Sequence, residues 1–148
     1  MTYHPKAVQS GRVGAVMLIR KDGAALMQHR DVKPSLRRSG MWVPPGGHAE
    51  LNEDMKTCAR REFLEETAYD CSNLHFLTEF EDHVKGWSPY LLTVFCAYYD
   101  GIQQLQCLEG QDLQFINRDQ ANSYDIPKNM LNVWDMALAA LEKEKIKL

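Results

Sequence analysis

The order of periodic segments in this 148-residue chain predicts one layered domain of the α+β or α/β class. Apolar runs of strand length come first, a polar helix-length segment follows, more strand-length runs come next, and an amphipathic segment closes the chain. The composition, 45% hydrophobic and 25% charged, is that of an ordinary globular protein. No repeat, low-complexity tract or linker divides residues 1–148, so a single domain is expected.

The elements follow in order. RVGAVMLIRKDGAALMQHRD reads as two strands joined through Lys21-Asp22-Gly23, because Asp-Gly suits the left-handed backbone of a tight hairpin turn. KPSLRRSG is a polar loop bearing Pro and Gly. MWVPPGGHAE is short and extended, since Pro44 and Pro45 exclude a helix there. Residues 53–67 read as a helix whose entry carries Asn52, Glu53 and Asp54, acceptors suited to free N–H groups and to the positive end of the dipole. Strands are expected near 74–81, 90–99 and 113–117. IPKNMLNVWDMALAALEKEKIKL is an amphipathic helix with Pro127 near its first turn.

Several functions are disfavoured at this level. A net charge of -3 does not supply the general basic surface of a nucleic-acid binder. The opening MTYHPKAVQSGRVG has no apolar signal-peptide core, and the longest apolar run, YLLTVFCAYY, is too short to span a bilayer. Cysteines at 58, 71, 96 and 107 form no C-x-x-C pair and have no His at zinc spacing; three of them lie in apolar or helical contexts and read as small hydrophobes, which fits a reducing cytoplasm. The chain is expected to be cytoplasmic, with no nucleic-acid partner and no membrane. Nothing in it speaks to oligomeric state.

One stretch is chemically unusual. In GGHAELNEDMKTCARREFLEETAYD, residues 46–70, Glu62, Glu65 and Glu66 stand at i, i+3 and i+4, so three carboxylates share one helix face. Met55, Ala59 and Phe63 form an apolar stripe beside that face, which puts the carboxylates at the edge of the core. Such like-charge pairs cost about 0.2–0.5 kcal/mol each when exposed, and more at a partly buried edge. A solvated face without purpose and a site for a cation both remain open from the acids alone. Gly46 and Gly47, which let backbone approach a ligand closely, favour the site. Hard divalent cations take carboxylate and carbonyl oxygens and then bind phosphates.

The spacing resembles the box of the Nudix hydrolases, G-x5-E-x7-R-E-U-x-E-E-x-G-U, with U an aliphatic or aromatic residue. Gly47, Glu53, Arg61-Glu62, Phe63, Glu65-Glu66 and Tyr69 fall on its positions, and Ala68 stands where the family has Gly. The box covers 23 of the 148 residues. WVPPGG before it is similar to the family's entry strand, and EGQDLQFI to the stretch that, in MutT-like members, returns a further glutamate to the metals.

The resemblance implies an α/β/α sandwich with a mixed sheet. It implies a magnesium or manganese cofactor (Mg2+ or Mn2+) held by Glu62, Glu65, Glu66, Glu109 and the Gly46 carbonyl. The catalytic acids would be drawn from Glu65, Glu66 and Glu109, with Gly47, Glu53 and Arg61 in support. Arg30 falls where members place a phosphate-binding Arg, and Asn129 where those reading oxidised guanine place an Asn. Each has a plainer alternative: Glu53 a helix-start charge, Glu109 a loop charge, Arg30 a surface cation, Asn129 a first-turn polar residue facing solvent. Trp87, Tyr90 and Trp134 read as packing, and His48 as undetermined.

The implied reaction is attack of water on a nucleoside diphosphate linked to another moiety. The mark for ADP-ribose, a Pro about fifteen residues past the box, meets Val84, with Pro89 five further on. The mark for dinucleoside polyphosphates, a Tyr slightly beyond, meets Lys85, Gly86 and Trp87. A MutT-like nucleoside triphosphate pyrophosphohydrolase therefore leads. A nucleotide-sugar or ADP-ribose diphosphatase follows, and a catalytically silent nucleotide-sensing domain is the alternative of another kind.

Overall fold

A computed structural model describes residues 11–147. The strands are β1 (Arg12–Ile19), β2 (Ala25–His29), β3 (Trp42–Val43), β4 (Gly46–His48), β5 (His75–Asp82), β6 (Tyr90–Tyr98) and β7 (Asp112–Ile116). The helices are α1 (Met55–Thr67) and α2 (Lys128–Lys147), with a short 3-10 turn at Arg118–Ser123. The sheet runs β3-β2-β1-β6-β5, with β4 also on β1 and β7 also on β2. Only β1 and β6 pair in parallel; every other pairing is antiparallel, so the sheet is mixed as expected.

Alternation along β1 divides the core in two. Val13, Ala15, Met17 and Ile19 face α2, where they pack with Met130, Val133, Trp134 and Ala137. Val16 and Leu18 face α1 and meet Ala59 and Phe63. This is the α/β/α sandwich. A Cβ at Gly14 would lie 3.0 Å from the Ala59 backbone nitrogen, so a bare backbone there lets α1 sit close on the sheet. The hairpin forms where Asp-Gly placed it: Asp22 Oδ1 accepts from the Ala24 N–H at 3.1 Å, and Gly23 takes φ 90°. The reading of residues 1–10 lies outside the described residues. Among those described, no helix is long and apolar enough to cross a membrane.

The helix starts differ from expectation. α1 begins at Met55 and not at residue 53, because Asp54 is the cap, its carboxylate accepting from Lys56 N–H at 3.1 Å and Thr57 N–H at 3.4 Å. Glu53 is therefore outside the helix and free for other work. At the other end Ala68 lies in the left-handed region at φ 64°, its N–H bonded to the Leu64 carbonyl at 2.9 Å. A Cβ is strained in that conformation, so Ala68→Gly should stabilise the chain by about 0.5–1 kcal/mol. A fall in the melting temperature would show that the strain is absorbed elsewhere.

Candidate active site

The acids gather where α1 meets the loop before β7. That loop is tied to the helix end by Gln106 N–H on the Thr67 carbonyl (2.8 Å) and Leu108 N–H on the Glu66 carbonyl (3.0 Å). Gln111 N–H then bonds to the His29 carbonyl at 2.7 Å, starting the β2–β7 ladder. Gly110 makes the turn at φ 85°, and a Cβ there would lie 2.6 Å from that same carbonyl. The result carries Glu109 to Glu66, so Glu109 is not an isolated loop charge.

Glu66 is 4% exposed, and its Oε1 accepts from Gln28 Nε2 at 2.9 Å. Burial, reinforced by the charges of Glu109 and Glu62, pushes its carboxyl far above the usual range, to about 9. Burial also raises Glu62.

Arg61 brings positive charge to these acids. It holds Glu53 through Nε and Nη2 at 2.7 and 2.8 Å, while Nη1 reaches Glu62 at 2.8 Å and Glu65 at 2.9 Å. It also donates to the His48 carbonyl at 3.2 Å. The guanidinium keeps Glu53 down at about 2. Glu53 is thus an orienting partner of Arg61 and not a helix-start charge. Gly47 faces the same cluster, and a Cβ on it would overlap the Glu62 carboxylate. Gly46, beside it on β4, is equally tight, with Ala15 Cα 2.7 Å from where its Cβ would lie.

The donor set fits a hard divalent cation: crowded carboxylates, two of them raised by burial, next to bare glycine backbone. As placed, however, no three His, Cys, Asp or Glu side chains among the described residues close round one point. The reason is visible in Arg61, on which Glu62 and Glu65 are folded.

Next to the acids runs a chain of cavities, and Arg30 lines all of them. An inner one of about 70 Å³ has Val13, Ala15, Leu92 and Met130 as apolar walls and Arg37, Arg38 and Asp82 as polar ones. An outer one of about 410 Å³ runs past Arg37, Gly46, Gly47, Trp87 and Tyr90. A third, about 220 Å³, reaches Gln28, Lys33, Glu109 and Gly110. Arg30 therefore stands between an apolar slot and the acids and is no bystander on the surface.

Arg37 and Asp82 were not anticipated, and Tyr90 was expected only to pack. Asp82, 2% exposed, receives Arg38 Nη2 at 2.8 Å and faces Arg37 Nη2 at 3.8 Å. The Arg37 guanidinium lies 3.7 Å over the Tyr90 ring. Tyr90 is therefore more than packing. Trp87 is 43% exposed on the outer cavity's wall, against the packing role expected of it. Trp134 is core, its Nε1 bonded to the Gly23 carbonyl at 3.0 Å. His48 meets Tyr90 edge to face at 5.8 Å and lines the outer cavity. Asn129 does not face solvent: its Nδ2 donates to Asp82 Oδ1 at 2.9 Å. All four cysteines are free, three of them buried.

Comparison with known proteins agrees with this geometry. The chain matches the family model of the NUDIX domain over residues 9–134. Over 60 residues it is 37% identical to the m7GpppN-mRNA hydrolase NUDT17 of Danio rerio, a match covering 40% of this chain and 20% of that protein. The NUDIX domain of Shewanella oneidensis NrtR, solved with ADP ribose, superposes with TM-score 0.74 at 17% identity, covering 95% of this chain and 94% of that one. A C. elegans Ap4A hydrolase, solved as a binary complex, gives TM-score 0.73 at 20% identity, covering 89% and 98%. The MutT protein of Methanosarcina mazei Go1 gives 0.71 at 16% identity, covering 84% and 89%. At these identities the structures speak for the fold alone.

Proposed function

The chain belongs to the NUDIX family, and we propose that it is a hydrolase of pyrophosphate bonds whose substrate is a nucleoside triphosphate, cleaved to a nucleoside monophosphate and pyrophosphate. The observation that carries this reading is the place of Arg30, shared by the apolar cavity and the cavity that reaches Glu109. A planar base would lie in the outer cavity with its edge toward the inner one, and the phosphates would then run past the guanidinium toward the acids.

Glu62, Glu65, Glu66, Glu109 and the Gly46 carbonyl are the oxygens proposed to hold Mg2+ or Mn2+. When bound, the metal would neutralise the phosphates and make water more acidic. Glu65, Glu66 and Glu109 are the candidates to accept the proton of the attacking water, whose oxygen forms the new bond to phosphorus as the bridging oxygen leaves on pyrophosphate. Glu53 and Gly47 support them, the first by anchoring Arg61 and the second by leaving room for Glu62. The full set of box glutamates speaks against a silent sensing domain.

The test is a screen of nucleoside triphosphates, nucleotide sugars, ADP-ribose and dinucleoside polyphosphates with products identified. Pyrophosphate from triphosphates is the expected outcome. A monophosphate released from sugars or ADP-ribose alone would transfer the activity to a diphosphatase, and no turnover of any compound would leave a sensing domain.

Asn129 is the proposed base reader, since an amide pairs with a donor and acceptor on one edge. Asn129→Ala should lower kcat/KM for the preferred base by about 1–3 kcal/mol relative to the other bases. Equal losses for every base would remove Asn129 from recognition.

A further inference from the structure

We propose that Asp82 is a positioning residue that decides which nucleobase edge is accepted at the inner cavity, by fixing the Asn129 amide in one orientation. The proposal rests on the reading of these cavities as a nucleotide site.

Among the described residues, three buried side-chain polar atoms lack a hydrogen-bond partner: Arg30 Nε, Arg37 Nε and Asn129 Oδ1. All three belong to one neighbourhood. Arg30 and Arg37 line the inner cavity, and Asn129 is bonded to Asp82 and adjoins Met130, both of which line it too. Buried polar atoms are nearly always paired, so two idle donors on the wall of this cavity and an idle acceptor just behind it point to a group that binds there.

Asp82 explains why the Asn129 oxygen is left over. It lies at the end of β5, buried, against the guanidinium groups of Arg37 and Arg38. A carboxylate so placed has lone pairs to offer and no proton to give. The Asn129 group that faces it at 2.9 Å is therefore the NH2, and the amide oxygen is turned away as a fixed acceptor. Arg37 is held by main-chain carbonyls and a ring instead. Its Nη1 donates to the Ser88 carbonyl at 2.6 Å, its Nη2 to the Asp82 carbonyl, and its plane lies on Tyr90, which leaves Nε as the free donor.

An unrestrained amide accepts either polarity by turning over. With Asp82 in place it does not turn. The recognised edge must give an N–H to Asn129 Oδ1 and a lone pair to Arg37 Nε, in that order and not the reverse.

The experiment is calorimetric titration of the metal-free chain with the monophosphates of adenosine, guanosine, cytidine and uridine. The wild type should bind one base at least about tenfold tighter than the poorest, the worth of one well-placed hydrogen bond. In Asp82→Asn the side chain donates as well as accepts, the Asn129 amide is free to turn, and that ratio should shrink by about five- to tenfold. The exchanged pair D82N/N129D keeps the charge of the cluster and again presents only an acceptor, so it should recover the wild-type ratio within about threefold.

A merely structural Asp82 would weaken all four ligands alike. That result overturns the proposal, as does a wild type that binds all four equally or an exchanged pair that fails to restore the ratio. If D82N does not fold, the exchanged pair decides by the same ratio. Selective binding by a chain that releases no pyrophosphate from triphosphates would remove the proposed reaction and leave Asp82 in its role.

Discussion

Replacing Glu66 by Gln lowers turnover of the best substrate by about 10²–10⁴-fold, the range for loss of an acid that holds the catalytic cation or takes the proton. Glu66 is the most buried of the three helix acids, its Oε1 fixed by Gln28 at 2.9 Å and its charge set against Glu109 and Glu62. Gln keeps the shape and the Gln28 contact while removing the charge, so a folded variant with lost turnover isolates the electrostatic role. Removal of divalent metal by EDTA should abolish wild-type activity, and added magnesium or manganese should restore it. A Glu66→Gln enzyme at wild-type rate would sink the assignment of Glu66 to the reacting centre.

What was readable in the sequence has a physical pattern. The helix acids stood out because their chemistry requires fixed residue types at fixed helical spacing, and Glu62, Glu65 and Glu66 satisfy it within one turn. The Asp22-Gly23 hairpin and the pairing of Pro44-Pro45 with extended chain are equally local. Glu53 was misplaced by one capping decision: Asp54, not Glu53, satisfies the first N–H groups of α1, and Glu53 goes to Arg61 instead. Gly46–His48 was legible as extended chain, and its pairing with Val13, Gly14 and Ala15 is what makes it the strand β4.

The inner cavity was hidden for a different reason. Arg37, Asp82 and Tyr90 lie in a polar loop, at one strand's end and at another's start, and no period connects them. An Arg-Arg pair in KPSLRRSG reads as solvated surface until Asp82 is found buried against it. The specificity of the site is thus a tertiary property, whereas its metal chemistry is nearly a primary one.

The same acids that serve catalysis cost stability when no cation is present, and the sign of that cost is fixed by Glu66. Its carboxyl is raised in the fold to about 9, from the ordinary range near 4.5. An acid raised in the native state binds its proton more tightly there than in the unfolded chain, so its contribution is fully present below the ordinary range and is lost as pH climbs toward the folded value. The metal-free protein should therefore melt progressively lower from pH 5 to pH 9. A loss of about 2–4 kcal/mol is expected across that window, or roughly 2–4 °C for each kcal/mol in a chain of this size. Glu66→Gln is uncharged throughout, so its profile should be flatter and it should out-melt the metal-free wild type at pH 8. Magnesium should reverse the order by raising the wild type at pH 8 and moving the variant little, because only a charged cluster gains from the cation. Thermal melts at several pH values, with and without magnesium, test this directly. Parallel pH profiles for wild type and variant would mean that Glu66 keeps its charge without strain, and that the cluster is balanced by Arg61 alone.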